Sequence, residues 1–404
     1  VVISTMNQFF NFKDIISISL NFLYFFGIMY PEFDTHITTI KYVIRVSIFL
    51  GFFFGGIVIA EIINLYLSIG DLQQMMKALF LTLTNLVSIC KFYAVCKNQK
   101  FLLNLVDKIN RKEFQPKSKK QAKSLKKYIR LSKIISISLY TGCTMTCGFW
   151  SIYPYTDDEG PFLPIAAYIP FKTDNPRVFG LVYTYEIIAT VIGGYTDLSV
   201  DCLMASLIMV VCAQLHILND SLVNLNSMVK EELERNKYEG IGKLNKEDVI
   251  NGKLIECIKH HRAIMDFSEN VIELFTTSMF WQFVVSGFVI CATFFEMTMV
   301  PVMSVRFFSM VLYQYCMLLE IFPICYFGNE VIIESNRLTN SAYHSDWINY
   351  SFKVRRNLIF FMTRTHRLLK LYAGGFFTMS LDTFIKILKS SWSFVAVLIQ
   401  IQKT

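Results

Sequence analysis

Val178-Phe-Gly-Leu-Val-Tyr-Thr-Tyr-Glu-Ile-Ile-Ala-Thr-Val-Ile-Gly-Gly-Tyr-Thr-Asp-Leu-Ser-Val-Asp-Cys-Leu-Met-Ala-Ser-Leu-Ile-Met-Val-Val-Cys-Ala-Gln-Leu-His-Ile-Leu218 is apolar almost from end to end. As one helix rising about 1.5 Å per residue, it is roughly twice as long as the ~30 Å hydrocarbon core of a bilayer. Either it crosses twice, with a turn at Asp197-Leu-Ser-Val-Asp201, or it crosses once and projects beyond the membrane. The flanking loops decide. Residues 97–133 carry thirteen Lys and Arg against Asp107 and Glu113, and residues 329–370 carry seven against three acids. Basic loops stay in the cytoplasm, so an even number of crossings must separate these two. One crossing for 178–218 gives four, and two would give five. The segment is expected to cross once and continue as a helix through the charged run Lys230–Lys237.

The rest of the chain fits this reading. Of 404 residues, 53% are hydrophobic, 15% aromatic and 17% charged, and the mean hydropathy is +0.43. Soluble domains carry about a quarter charged residues. Length alone would suit two or three soluble domains, but no Pro/Gly/Ser-rich linker divides the chain. Further spans of about 20 residues are expected at 42–65, 72–96, 132–154, 270–295, 304–327 and 371–401. The shorter run Ile15–Tyr30, ending at Pro31, suits an interfacial or re-entrant helix. The expected fold class is all-α: a seven-transmembrane helical bundle with a cytoplasmic N-terminus, an extracellular C-terminus and long helices extending into the cytoplasm. Outer loops are acid-rich or nearly uncharged, as at Asp157-Asp158-Glu159. Residues 218–263 balance eight basic against eight acidic and cast no vote. No signal peptide is evident, so insertion is expected to rely on the first span. The chain begins Val1-Val2, so its natural start is expected upstream.

The formal charge of +8 sits between apolar segments, which excludes a nucleic-acid-binding face. Most of the ten cysteines lie in apolar stretches, without CxxC or Cys/His zinc spacing, and read as small core residues. Arg45, Glu61, Lys77, Lys91, Glu186 and Glu320 lie within spans, as in bundles that enclose a polar cavity. Asp197 and Asp201 share one helix face; they either bind a cation or proton, or hydrogen-bond neighbouring helices near the inner boundary. His260 and His261 point to different faces and cannot chelate together. Phosphate loops, nucleophile elbows and inverted repeats are absent, so neither an enzyme nor a cofactor is expected. Thr146, Cys147, Trp150 and Tyr153 suit either an apolar ligand pocket or an interfacial aromatic belt. Val397 and Ile401, one turn apart beside Gln400, suit a hydrophobic channel constriction or packing against lipid.

The C-terminal third carries a specific pattern. Cys325-Tyr-Phe-Gly328-Asn329-Glu330, Glu334-Ser335, Ala342-Tyr343 and Trp347 are followed by Arg355-Arg356, Arg364, Leu371 and Ala373-Gly374-Gly375-Phe376. Leu381-Asp382-Thr-Phe384 and Lys389-Ser-Ser-Trp-Ser393-Phe394 complete it. This resembles the signature of insect odorant receptors, seven-helix ligand-gated cation channels with an intracellular N-terminus. Tyr168-Ile-Pro170-Phe171 and Tyr183-Thr-Tyr185-Glu186 resemble, more weakly, the family's outer loop and the start of its fourth span. Trp392 departs from the family's usual Tyr. The resemblance implies a membrane ligand-binding bundle at 1–328 with a cytoplasmic extension at 218–263, a cytoplasmic anchor at 329–370 and a pore-lining helix at 371–404. Val397 and Ile401 match the family's gate, with Gln400 at its filter position. Lys386 and Lys389 are oddly placed for a cation pore. The family's co-receptor has an insertion after the fourth span that residues 218–263 lack, so the chain resembles a ligand-tuning subunit. Its implied partners are a small volatile odorant, the co-receptor in a heterotetramer, the bilayer and permeant cations. The implied location is the plasma membrane of a sensory-neuron dendrite.

The expected ligand pocket lies in the outer half of the bundle between spans two, three, four and six, with Phe80, Thr84 and Val87 on one helix face and Tyr185, Ile188 and Ile192 on another by helical spacing. Its expected walls are Phe80, Thr84, Val87, Thr146, Trp150, Tyr185, Ile188, Ile192, Phe307 and Tyr313. A gustatory receptor of the same superfamily is the nearest alternative. A G-protein-coupled receptor would place basic loops after spans one, three and five, and a transporter would show an internal repeat. The topology is checked with accessibility tags at Lys119 and Asp158 in intact cells. Only the tag at Asp158 should label from outside; labelling at Lys119 alone would reverse the chain.

Overall fold

The computed structural model describes residues 12–29, 36–152, 155, 163–171, 173, 175–238 and 245–403. Its helices are α1 (Ser17–Phe26), α2 (His36–Val46), α3 (Gly56–Leu67), α4 (Leu72–Lys97), α5 (Gln99–Ile109), α6 (Lys119–Ile152), α7 (Pro176–Val223), α8 (Leu225–Tyr238), α9 (Lys246–Met299), α10 (Val305–Tyr343), α11 (Phe352–Thr365) and α12 (Leu381–Lys403). A π-helical stretch, Ser47–Gly55, joins α2 to α3 as one rod. Among the described residues, six segments are long and apolar enough to cross a membrane: Ile40–Leu67, Gln74–Lys97, α7, α9, α10 and Leu381–Ile401. The apolar second half of α6, beyond its basic first half, completes a seven-helix bundle. The run starting at Ile15 forms the short apolar helix α1, and Pro31 lies outside the described residues.

The decisive segment is one helix. Asn175 caps α7 by accepting the Arg177 N–H, and Pro176 at the first position needs no intrahelical N–H partner. The 48 residues run unbroken through Asp197 and Asp201 and extend about 70 Å. The apolar stretch of α7 is buried throughout, so it is the centre of the bundle rather than a lipid-facing helix. At 34, 54 and 39 residues, α6, α9 and α10 also outrun a bilayer core.

Their projecting ends meet on one side. Lys120 pairs with Asp220 at 2.6 Å and Lys117 with Glu256 at 2.8 Å. Asn219 donates to Glu334 at 2.8 Å, and Tyr350 donates to Asn226 at 2.9 Å. The two basic regions, 97–133 and 329–370, thus share one end of the molecule, as four crossings between them require.

Several local features differ from the sequence reading. The basic loop contains α5, whose Leu102, Leu105, Val106 and Ile109 form a buried stripe at helical spacing. The charged run after α7 is helical but separate, with Asn224 between α7 and α8. The last apolar segment is helical only from Leu381; before it, Tyr372–Ala373 and Phe377–Thr378 pair antiparallel. Gly374 (φ 60°) and Gly375 (φ 76°) force this hairpin, because both central residues of its turn sit at positive φ, where a side chain would be strained.

That hairpin leads the chain against α10 at a position without room for a side chain. A Cβ on Gly328 would overlap the carbonyl of Met379 and lie 2.7 Å from its Cβ. Backbone cannot yield there as a flexible side chain would. Gly328→Ala should therefore destabilise the detergent-solubilised chain by about 1–3 kcal/mol, read as a lower thermal midpoint. An unchanged midpoint would show that α10 and α12 part without cost.

Candidate ligand cavity

A narrow cavity of about 70 Å³ lies among α3, α4, α6, α7 and α10. Phe54 of the π-helical stretch and Ile57 and Glu61 of α3 face it. Leu81, Thr84, Asn85 and Ser88 of α4 and Cys143, Thr146, Cys147 and Trp150 of α6 continue the wall. Helix α7 contributes Ala189, Thr190, Gly193, Gly194, Asp197 and Leu198, and α10 contributes Tyr313, Cys316, Met317 and Glu320. On α7 the facing stripe is Ala189-Gly193-Asp197, four residues per step. Gly193 and Gly194 keep this helix close to its neighbours: a Cβ on either would come within 3.1 Å of Phe54 or 3.0 Å of Cys143 Sγ.

One wall is aromatic. The Trp150 ring stacks on Tyr313 at 5.7 Å between centroids, and Phe80 meets Tyr313 edge-on at 5.2 Å. The Tyr313 and Thr84 hydroxyls are 2.8 Å apart, and Thr84 also donates to the Phe80 carbonyl. The inner floor is ionic. Lys91, 1% exposed, places its ammonium 3.0 Å from Asp197 and 2.7 Å from Asp201. Ser88 donates to Asp197 at 2.7 Å. Toward the other end, the Asn85 amide donates to both oxygens of Glu61, at 3.0 and 2.8 Å. Glu186 accepts the N–H of Ile165 at 3.3 Å. Asn64 donates to the Ala166 carbonyl, and Tyr168 N–H to that of Ala60, so residues 163–168 lie across the end of α3. A second cavity under this segment shares Glu61, Leu81 and Trp150 with the first.

Of the residues expected from sequence, Thr84, Thr146, Trp150 and Tyr313 line the cavity together. Phe80 lines the second cavity. Val87 and Ile192 are buried outside the wall. Tyr185 donates to the Phe52 carbonyl and stacks on Phe53, Ile188 is 39% exposed, and Phe307 lies beside Phe308 at the start of α10. Helical spacing groups residues into faces but does not say which face turns inward, and α7 presents Ala189 and Gly193 where Tyr185 and Ile188 were expected. Tyr153 lies outside the described residues. Glu61, Asn85, Ser88, Asp197 and Glu320 were not expected in the wall, although ions inside apolar spans were the signal that marks them. Val397, Gln400 and Ile401 lie apart, exposed on the last turns of α12. His260 bonds Gln214 at 2.9 Å while His261 meets Phe361, so the pair diverges as expected.

The ionic floor has a measurable consequence. Lys91→Met leaves two carboxylates facing each other in a dry interior, which costs about 3–5 kcal/mol. The thermal midpoint should fall sharply, and Asp197→Asn with Asp201→Asn in the same chain should recover much of the loss. Equal midpoints for wild type and Lys91→Met would remove the ion cluster from the stability account.

Comparison with known proteins places this arrangement. Odorant receptor Or1 of Anopheles gambiae is 25% identical over 347 residues, 81% of each chain. Odorant receptor 46a, isoform A, of Drosophila melanogaster is 23% identical over 340 residues, 83% of this chain and 85% of the relative. The olfactory receptor OR5 of Machilis hrabei, solved in complex with eugenol, superposes with a TM-score of 0.81 at 19% identity, over 96% of this chain and 97% of that one. The sequence model of the family described as 7tm Odorant receptor matches residues 71–392. With so much of the length matched, this seven-helix membrane protein belongs to the odorant receptor family, a family of receptors and not of enzymes.

Proposed function

We propose that this chain is the odorant-binding, ligand-tuning subunit of a ligand-gated cation channel in the plasma membrane of a sensory dendrite. The odorant occupies the cavity among α3, α4, α6, α7 and α10, as a small volatile with an apolar body. One observation carries the coupling to a gate. Trp150 and Tyr313 of the cavity wall share a packed cluster with Val289, Ala292 and Phe295 of α9, and Leu398 and Ile399 of α12 pack against that same cluster. A ligand that moves the aromatic wall therefore pushes on the end of α12, the turn next to Val397, Gln400 and Ile401.

In this reading residues 1–328 are the ligand-binding bundle, 329–370 the cytoplasmic anchor and 371–404 the pore-lining segment. The exposed apolar face of α12, with Trp392, Phe394, Val397 and Ile401, supports assembly around a common axis. Lys386, odd for a cation pore in isolation, pairs with Asp382 at 2.6 Å. The absence of an insertion after α7 supports a tuning role beside a co-receptor in a heterotetramer.

The test is odorant-evoked current in cells expressing this chain with and without the co-receptor. Current is expected only with both. Trp150→Ala should then shift agonist potency by about 5- to 150-fold, the value of roughly 1–3 kcal/mol of aromatic contact, at equal surface expression. Unchanged potency for every active odorant would return Trp150 to a packing role.

A further inference from the structure

We infer that the preferred ligand of this cavity carries a protonated amine, held by Glu320; this rests on the cavity being the odorant site. Among the described residues, three ionisable side chains line the cavity, Glu61, Asp197 and Glu320, and all three are acidic. Their partners differ. Glu61 is satisfied by Asn85, and Asp197 by Ser88 and Lys91. Glu320 is 7% exposed, faces the cavity, feels the Lys91 ammonium only through space and makes no direct hydrogen bond or ion pair with any described residue. A buried carboxyl group without a direct partner is costly, and the cavity is the direction from which a partner can arrive.

The cluster itself indicates which donor. Asp197, Asp201 and Glu320 each place one oxygen within 4.8 Å of the others, and the first two already hold one primary ammonium, that of Lys91. Three acids share one ammonium, so Glu320 can pair with a ligand amine as carboxylate and ammonium, whichever of the two brings the proton. A second ammonium from the ligand then makes charge-assisted hydrogen bonds. A bare metal ion fits less well, because the Lys91 ammonium already fills the space between Asp197 and Asp201. The apolar part of the wall, Ile57, Leu81 and Trp150, suits the alkyl or aromatic body of a volatile amine.

The experiment compares hexylamine, hexan-1-ol and hexyl methyl ether on the wild-type chain with its co-receptor. The amine should act at least ~10-fold more potently than the alcohol, equivalent to about 1.4 kcal/mol, and the ether should be weakest. Glu320→Gln, nearly isosteric, should bring amine and alcohol within ~3-fold of each other. In parallel, the purified wild-type chain should melt higher with hexylamine than with hexan-1-ol at matched ionic strength. Currents evoked by the neutral compounds with no amine preference overturn the amine inference and leave the odorant-channel reading intact. Silence toward all three compounds, with selective stabilisation by the amine, upholds the ligand class and overturns gating. Stabilisation by sodium or calcium chloride, with no further gain from the amine, overturns the amine inference in favour of a metal.

Discussion

Two carboxylates one helical turn apart inside an apolar helix have to be matched before anything around them can pack. Asp197 and Asp201 are buried on α7, and the Lys91 ammonium of α4 lies within 3.0 Å of both. In a medium without water, that ammonium can satisfy two acids only if α4 and α7 hold one rotation and one register. A slip of one residue on either helix would swing the ammonium and the carboxylates away from one another. The ion cluster is therefore better understood as a device for specifying how two helices meet than as a source of net stability. Once they meet this way, Ser88, Asn85 and Thr84 of α4 line up along the same face as Lys91, and that face becomes the cavity wall.

The length of α7 extends this local constraint to the whole chain. A helix of about 70 Å with its middle locked to α4 carries its far end well outside the membrane. There Asn219 bonds Glu334 and Ser341 of α10, and Gln214 bonds His260 of α9. The same rod thus touches the cavity with Gly193 and organises the basic end with Asn219. Because α7 has no break along that distance, a tilt of its outer half is felt at the other end. The aromatic cluster from Trp150 through α9 to Leu398 is a second, shorter route toward α12.

Much of this architecture was legible before any coordinates. Loop charge alone separated one crossing from two for residues 178–218, because positive charge is excluded from translocation regardless of how helices later pack. The hairpin at Tyr372–Thr378 was not legible as such, since its residues are apolar enough to extend a span; the signal was Gly374-Gly375, which tolerates the left-handed turn. The cavity was half legible. Trp150 could be named because its ring offers large apolar area and one donor, although an interfacial belt would use the same ring. Glu61, Asn85 and Glu320 could not be assigned to one site, because they come from α3, α4 and α10, and only tertiary packing brings those helices together.

The exposure of α12 is the feature that a single chain leaves unresolved physically. Its spanning stretch is about one-tenth buried, whereas the matching stretch of α7 is wholly buried. Lipid would satisfy Ile385, Trp392, Phe394, Val397 and Ile401, but the same helix carries Asp382, Lys386, Lys389 and Gln400, which lipid does not satisfy. The Asp382–Lys386 pair is 72% exposed at both side chains, a geometry stable in contact with water and costly against acyl chains. A helix with both kinds of exposed residue belongs between a protein neighbour and an aqueous path. The assembly proposed for this chain would supply both at once, with the apolar residues covering one another and the polar ones facing water.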